Sequence, residues 1–147
     1  MSIFKFVIIL LVLNFIYSCG SSDNIIRKYK FIKGDFTYVM TDSSDNPLVK
    51  GNLKVDYLKE RNLSGSYTVT KDTAVHFAGE ETFNGGTFTG YFNDSLSIAF
   101  FNMNPKVADA NIFISATDYT DSLIGDWYYS TFRGKKSGGF FTAKRVK

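Results

Sequence analysis

The chain of 147 residues has one cysteine, one histidine, one tryptophan and two prolines. The lone cysteine, Cys19, excludes an internal disulfide framework. One cysteine and one histidine, His76, leave no zinc constellation and no Cys–His nucleophile pair. His76 falls within a strand-like pattern and reads as a polar-face or core-edge residue. No Gly-x-Ser-x-Gly elbow, phosphate loop or EF-hand run occurs. Glu80 and Glu81 are adjacent, so on a strand they point to opposite faces and make a poor acid/base pair. Asp42 and Asp45 lie in an acidic loop that lacks the carboxylate count and glycine turn of a calcium site, and it reads as a solvated turn. Catalytic residues, metal ligands and cofactors are therefore all expected to be none, and the chain is read as no enzyme. Charge of one sign is scarce too: 17 Lys and Arg against 14 Asp and Glu. That balance lacks the basic excess of a nucleic-acid binder, so no nucleic acid is expected as a partner.

What is abundant is aromatic side chains, 17% of the chain. Val, Ile, Thr, Phe and Tyr dominate the ordered-looking segments, which is strand composition. The one long apolar run is at the start, MSIFKFVIILLVLNFIYSC. It carries Lys5 before an apolar stretch of residues 6–16, short for a bilayer-spanning helix of roughly 20 residues. Its layout is that of a secretory signal peptide. Ile16-Tyr17-Ser18-Cys19 resembles the bacterial lipobox, with Tyr17 bulkier than the usual residue at its position. The resemblance implies cleavage before Cys19, a diacylglycerol on its thiol and acylation, such as palmitate, on the new amino group. Several acyl chains anchor stably at about 0.8 kcal/mol per buried methylene. Gly20 after the cysteine, by resemblance to proteobacterial sorting, implies the outer membrane, on its periplasmic or cell-surface side.

The expected organisation is a signal peptide over residues 1–18, the lipidated cysteine and a tether over 19–32, and one domain over 33–147. Removing 18 residues from 147 leaves 129, and Lys5 is the only charge removed, so 16 basic and 14 acidic side chains remain. One domain of this size buries roughly two thirds of its unfolded surface.

Within the domain, strand-like runs cover residues 33–40, 48–57, 63–70, 75–83, 87–92, 95–103, 111–119, 123–132 and 139–146, with a slip near Gly51-Asn52. Turn residues separate them, Asn84-Gly85-Gly86 giving the strongest hairpin signal. Residues 133–138 read as a loop. About eight to nine short, evenly spaced strands predict an all-β fold: a single antiparallel up-and-down barrel, with a β-sandwich as the alternative. A barrel also removes sheet edges.

A Gly-x-aromatic unit recurs at Gly34-Asp35-Phe36, Gly65-Ser66-Tyr67, Gly86-Thr87-Phe88, Gly125-Asp126-Trp127 and Gly139-Phe140-Phe141. Glycine allows a strand to bend at a barrel corner, and the aromatic two positions on is expected to cover it. Gly125 to Trp127 and the terminal run Gly139, Phe141, Arg145 resemble calycin-type barrels, the lipocalins and avidins. In lipocalins, a Gly-x-Trp on the first strand packs under a late basic residue. Here Phe36 takes the first-strand place and the tryptophan is in the penultimate strand. The resemblance implies barrel architecture and a contact between Trp127 and Arg145.

Asp72-Thr73-Ala74, Asp94-Ser95-Leu96 and Asp121-Ser122-Leu123 resemble the O-glycosylation motif of exported Bacteroidetes proteins, with Thr73, Ser95 and Ser122 as acceptors. Asp-Ser and Asp-Thr also make good turns without any glycan. Cations gather at both ends of the domain, Arg27, Lys28, Lys30 and Lys33, then Arg133, Lys135, Lys136, Lys144, Arg145 and Lys147. Pairing of first and last strands would merge them into one basic seam, either solvated edge charge or an attraction to anionic lipid beside the anchor.

The functional expectation is a membrane-anchored lipoprotein of the bacterial envelope with a non-enzymatic β-barrel. Its partners are the membrane, through the anchor, and either a small apolar ligand or another envelope protein. The alternative use is as an interaction, inhibitor or assembly module acting through loops such as 41–47 or an aromatic surface patch. The aromatics serve either a filled core, taken as the default, or a ligand cavity.

Overall fold

A computed structural model describes residues 32–57, 61–70 and 77–147. Cys19, Thr73 and His76 lie outside the described residues. Eight strands follow one another: β1 Gly34–Thr41, β2 Pro47–Tyr57, β3 Asn62–Thr70, β4 Gly86–Asn93, β5 Ile98–Asn102, β6 Asn111–Tyr119, β7 Ser122–Thr131 and β8 Gly134–Arg145. Each pairs antiparallel with the next, and β1 pairs with β8, closing an up-and-down barrel. The barrel of the sequence reading is thus formed, not the sandwich. The end where β1 begins and β8 finishes is called proximal; it also carries the β2–β3, β4–β5 and β6–β7 turns. The distal end carries the other four connections.

Closure depends on alternation. On β1, Phe36, Tyr38 and Met40 are buried while Asp35 and Thr37 are exposed. On β6, Ile112, Ile114 and Ala116 point inward. The apparent slip at Gly51-Asn52 is no slip. The β1–β2 register runs unbroken through Tyr38↔Gly51 and Thr37↔Asn52, and Gly51 occupies an inward position between Val49 and Leu53.

The glycine–aromatic recurrence has a different geometry from the expected one. Gly51 faces Tyr38 across the ladder, Gly65 faces Phe88, Gly90 faces Phe101, Gly125 faces Phe141 and Gly139 faces Trp127. A Cβ on Gly51 would sit 2.8 Å from the Tyr38 ring, and one on Gly65 2.7 Å from Phe88. The covering ring comes from the neighbouring strand, not from two positions along the same strand. Large rings fit into a narrow barrel because their cross-strand partners have no side chain.

Residues 77–83, read as the end of a strand, are not one. They include a 3-10 turn, Glu80–Thr82, preceded by Gly79 at φ 94°. The period-two pattern in the sequence reflects two rings that both turn to the barrel. Phe83 is buried and stacks on Tyr67 with centroids 4.9 Å apart, its edge toward Tyr38 at 6.4 Å. Phe77 meets Trp127 edge-on at 5.4 Å. This segment plugs the distal end and is tied down by Ser137 Oγ, which donates to the Ala78 carbonyl (3.1 Å). Glu80 and Glu81 therefore lie on a turn, not on opposite strand faces. Asn84-Gly85-Gly86 leads out of the plug into β4, with Gly85 at φ 93°, and does not join two strands.

Residues 134–138, read as loop, are the start of β8. The β7–β8 ladder extends to Thr131↔Gly134 with a register shift at Tyr129/Ser130.

At the proximal end Arg145 closes the interior. Its guanidinium lies over Phe36, 4.6 Å from the ring centroid, and donates from Nη1 to the Lys33 carbonyl (2.7 Å). The absent side chain of Gly34 makes the room it needs. The expected Trp127–Arg145 contact does not form. Trp127 sits toward the distal end opposite Gly139 and donates from Nε1 to the Thr41 carbonyl (2.7 Å). Phe36 takes the place at the basic residue, and Phe141 stacks on Tyr38 at 5.9 Å.

Candidate functional site

The interior is occupied by side chains. Trp127, Tyr38, Phe36, Phe83, Phe88 and Phe101 are each no more than 1% exposed, and Ala99, Ala116 and Ala143 are buried toward the proximal end. Burial holds the Tyr38 hydroxyl far above the ordinary tyrosine range and pushes Tyr67 up to about 12. Tyr38 Oη donates to the Thr68 carbonyl (3.0 Å). These phenols are core groups with their protons held in place.

The remaining predicted positions are spread over the molecule. Asp42 is committed to its own loop: Oδ1 accepts from the Ser44 and Asn46 amides (2.8 and 2.9 Å), and Oδ2 from Asn46 Nδ2 (2.9 Å). The Asn46 side-chain bond, then its backbone bond, holds the Asp42 carboxyl below the usual range. No group of three or more His, Cys, Asp or Glu able to hold a metal occurs among the described residues. Ser95 is exposed in the β4–β5 turn, after Asp94, which pairs with Arg61 (3.1 Å). Ser122 is half-buried and donates to Asp121 Oδ1 (3.2 Å). Arg27, Lys28 and Lys30 lie outside the described residues, and the described basic residues do not merge into one seam. β1 and β8 pair, but antiparallel, so Lys33, Lys144 and Arg145 lie at the proximal end while Arg133, Lys135 and Lys136 lie at the distal β7–β8 turn.

What the sequence reading did not locate is a groove on the outer wall. Outward positions of β1–β3 are polar: Asp35, Thr37, Lys50, Asn52, Lys54 and Ser66 are all exposed. Those of β4–β7 include four aromatics, Tyr91, Phe100, Phe113 and Tyr128. Tyr91 and Phe100 are cross-strand partners, stacked at 4.7 Å and 19°. Phe113 and Tyr128 are partners one row over, at 5.2 Å. The two pairs lie diagonally across four strands and line a depression of about 560 Å³. Asn62, Thr89, Asn102 and Ser115 supply its polar lining. Asn102 Oδ1 accepts from the Asn104 amide (3.0 Å), and its NH₂ group has no partner among the described residues. Tyr128 also borders a second depression of about 520 Å³ with Asp126, Lys135, Lys136 and Phe140. Lys135 Nζ stands 5.7 Å from the Tyr128 ring centroid.

Chemically, this arrangement offers flat apolar faces, uncommitted amides and hydroxyls, and a cation at one edge. Its volume lies within the roughly 300–1,000 Å³ of small-ligand sites. The signal for it in the sequence was the outward aromatics of adjacent strands, Tyr91, Phe100, Phe113 and Tyr128, which only the cross-strand register brings together.

Comparison with protein-family models, with curated proteins and with solved structures finds no match for this chain. The fold defines the class, a closed eight-stranded up-and-down barrel with an aromatic core.

Proposed function

We propose that this chain is a lipoprotein of the bacterial outer membrane, anchored through acylated Cys19, whose non-enzymatic barrel binds its partner on the outer wall and not in its lumen. The single observation that carries this reading is the contrast between the two surfaces of the sheet: a lumen occupied by Phe, Tyr and Trp, and a concave aromatic groove outside it. A bilayer-spanning barrel would need an apolar lipid-facing band all round. Asp35, Lys50 and Lys54 on the outer face of β1–β3 argue against that and in favour of an anchor supplied by the lipidated cysteine. Asn62, Thr89, Asn102 and Ser115 in the groove favour a ligand that carries hydroxyl or amide groups besides an apolar face.

Two measurements test the reading. Intact-mass analysis of the protein from its host is expected to show loss of residues 1–18 and gain of acyl chains, and Cys19→Ser is expected to leave the protein unacylated and extractable without detergent. An unmodified Cys19 overturns the anchor. A photo-crosslinker at Phe113, on the outer wall, is expected to capture an envelope component that one at Asn52, on the polar wall, does not. Equal capture at both positions overturns the wall site. Where the glycosylation motif is used, Ser95, exposed in its turn, is the expected acceptor before Ser122, and peptide mapping of the same sample distinguishes them.

A further inference from the structure

The chemistry of the outer-wall groove narrows its ligand class. This deepens the wall-binding reading and rests on it. We infer that the groove holds an acidic saccharide: sugar rings lie against the aromatic pairs, hydroxyls meet the free amides, and a carboxylate meets Lys135.

Four observations converge. First, the walls of the groove are rings. Tyr91 is half exposed and Phe100, Phe113 and Tyr128 are partly so, arranged as two diagonal pairs. Aromatic faces are electron-rich and attract the electropositive C–H face of a pyranose, as they attract cations. Second, unpaired polar side chains punctuate the mainly apolar lining. The side chains of Asn62, Thr89 and Ser115 make no hydrogen bond among the described residues, and Asn102 has a free NH₂. An acyl chain would strip water from these groups and return nothing, whereas hydroxyls replace the water bonds one for one. Third, a depression of about 560 Å³ is of small-ligand size. A closed barrel also has no free edge for strand addition. Fourth, there is a charge at one edge. Lys135 stands over Tyr128, the residue shared by the two depressions, with Lys136 beyond it. Asp126 in the second depression offsets one of those cations. A polyphosphate backbone brings a charge every few ångströms and demands a matching stripe of cations. One net positive charge beside an aromatic wall suits a uronic acid spaced among neutral rings.

Isothermal titration calorimetry on the full-length protein in detergent tests this, with a hyaluronan oligomer, in which a uronic acid alternates with a neutral ring, as probe and a neutral dextran oligomer of equal length as control. The hyaluronan oligomer is expected to bind and dextran to bind at least about tenfold more weakly. The pair Tyr91→Ala and Phe113→Ala is expected to reduce hyaluronan-oligomer binding at least about tenfold, since stacking on single rings is worth that much. Lys135→Gln is expected to weaken it about fivefold and to remove most of its salt dependence. All three side chains point outward, so thermal melting reports whether each variant is folded. Absence of hyaluronan-oligomer binding at millimolar concentration overturns the proposal. So does binding that survives the aromatic double variant, or a single-stranded oligonucleotide that outcompetes the saccharide. Crosslinking at Phe113 separates the two levels. Capture of a protein there, without saccharide binding, overturns the saccharide and keeps the wall site. A saccharide that binds the aromatic double variant normally, with no capture at Phe113, overturns both.

Discussion

Arg145 shows how much one side chain can hold at the mouth of a barrel. It covers Phe36, donates to the Lys33 carbonyl and fills the space left by Gly34. Arg145→Met is expected to cost about 1–3 kcal/mol, from one charge-assisted hydrogen bond and one cation–π contact, and Arg145→Lys to recover only part because it lacks the planar fork. Urea unfolding of both variants checks this. The sequence pointed to Arg145 as a packing cation but assigned it to Trp127, six residues out of register at roughly 3.3 Å per residue. Residue type was legible; the partner was set by pairing, which no single residue reveals. Tyr67 and Tyr38 give a pH prediction. Burial raises both phenols, so the folded state keeps protons that the unfolded chain releases. Their stabilisation is complete below the unfolded value of about 10 and declines as pH rises through the folded value of Tyr67, about 12. Melting temperatures are expected to fall over that range, less steeply in Tyr67→Phe. For Asp42 the sign reverses. Its lowered carboxyl value means that the loop contact is present at neutral pH and lost on acidification, which faster hydrogen exchange at the Ser44 and Asn46 amides would report.

Among the elements, the plug is the one most misread from the sequence. Residues 75–83 alternate as a strand does, yet residues 77–83 make a turn that presses Phe83 into the distal opening. Alternation records which side chains are buried, and a chain lying across a barrel mouth can bury alternate residues as a strand does. Phe83→Ala is expected to cost about 3–5 kcal/mol, measurable by denaturant unfolding, and to open the lumen to an apolar dye that the parent protein excludes. A smaller loss without dye uptake would make the segment a cover, not a plug. The early part of β8 was missed for the converse reason. Gly, Lys and Ser have poor strand propensity, but the β7–β8 hairpin carries the ladder through them regardless. Gly51→Ala tests the facing-ring geometry: the added methyl meets Tyr38 and the Thr68 carbonyl, and overpacking of about 1–3 kcal/mol is expected in the same assay.

For the molecule as a whole, barrel closure was legible because about eight to nine short strand-like runs separated by turn residues have few other ways to hide their edges. The groove was not, because its walls come from four strands and exist only once the registers are set. Closure joins the two ends of the domain, with Phe36 paired to Arg145 and Met40 to Phe141. Deleting residues 139–147 removes all five residue pairs of that seam, and the expected result is loss of the cooperative unfolding transition, seen by near-ultraviolet circular dichroism. The same seam has a mechanical meaning. A pull on the chain just before Gly34, directed away from the proximal end and resisted at the groove strands, runs along β1. That strand is gripped by eight residue pairs with β2 and five with β8. The load falls on all of these hydrogen bonds together, in shear. A pull on Lys147 to one side would peel β8 from its neighbours one bond at a time. Pulled along its first strand, the barrel therefore resists with thirteen residue pairs, eight and five, at once.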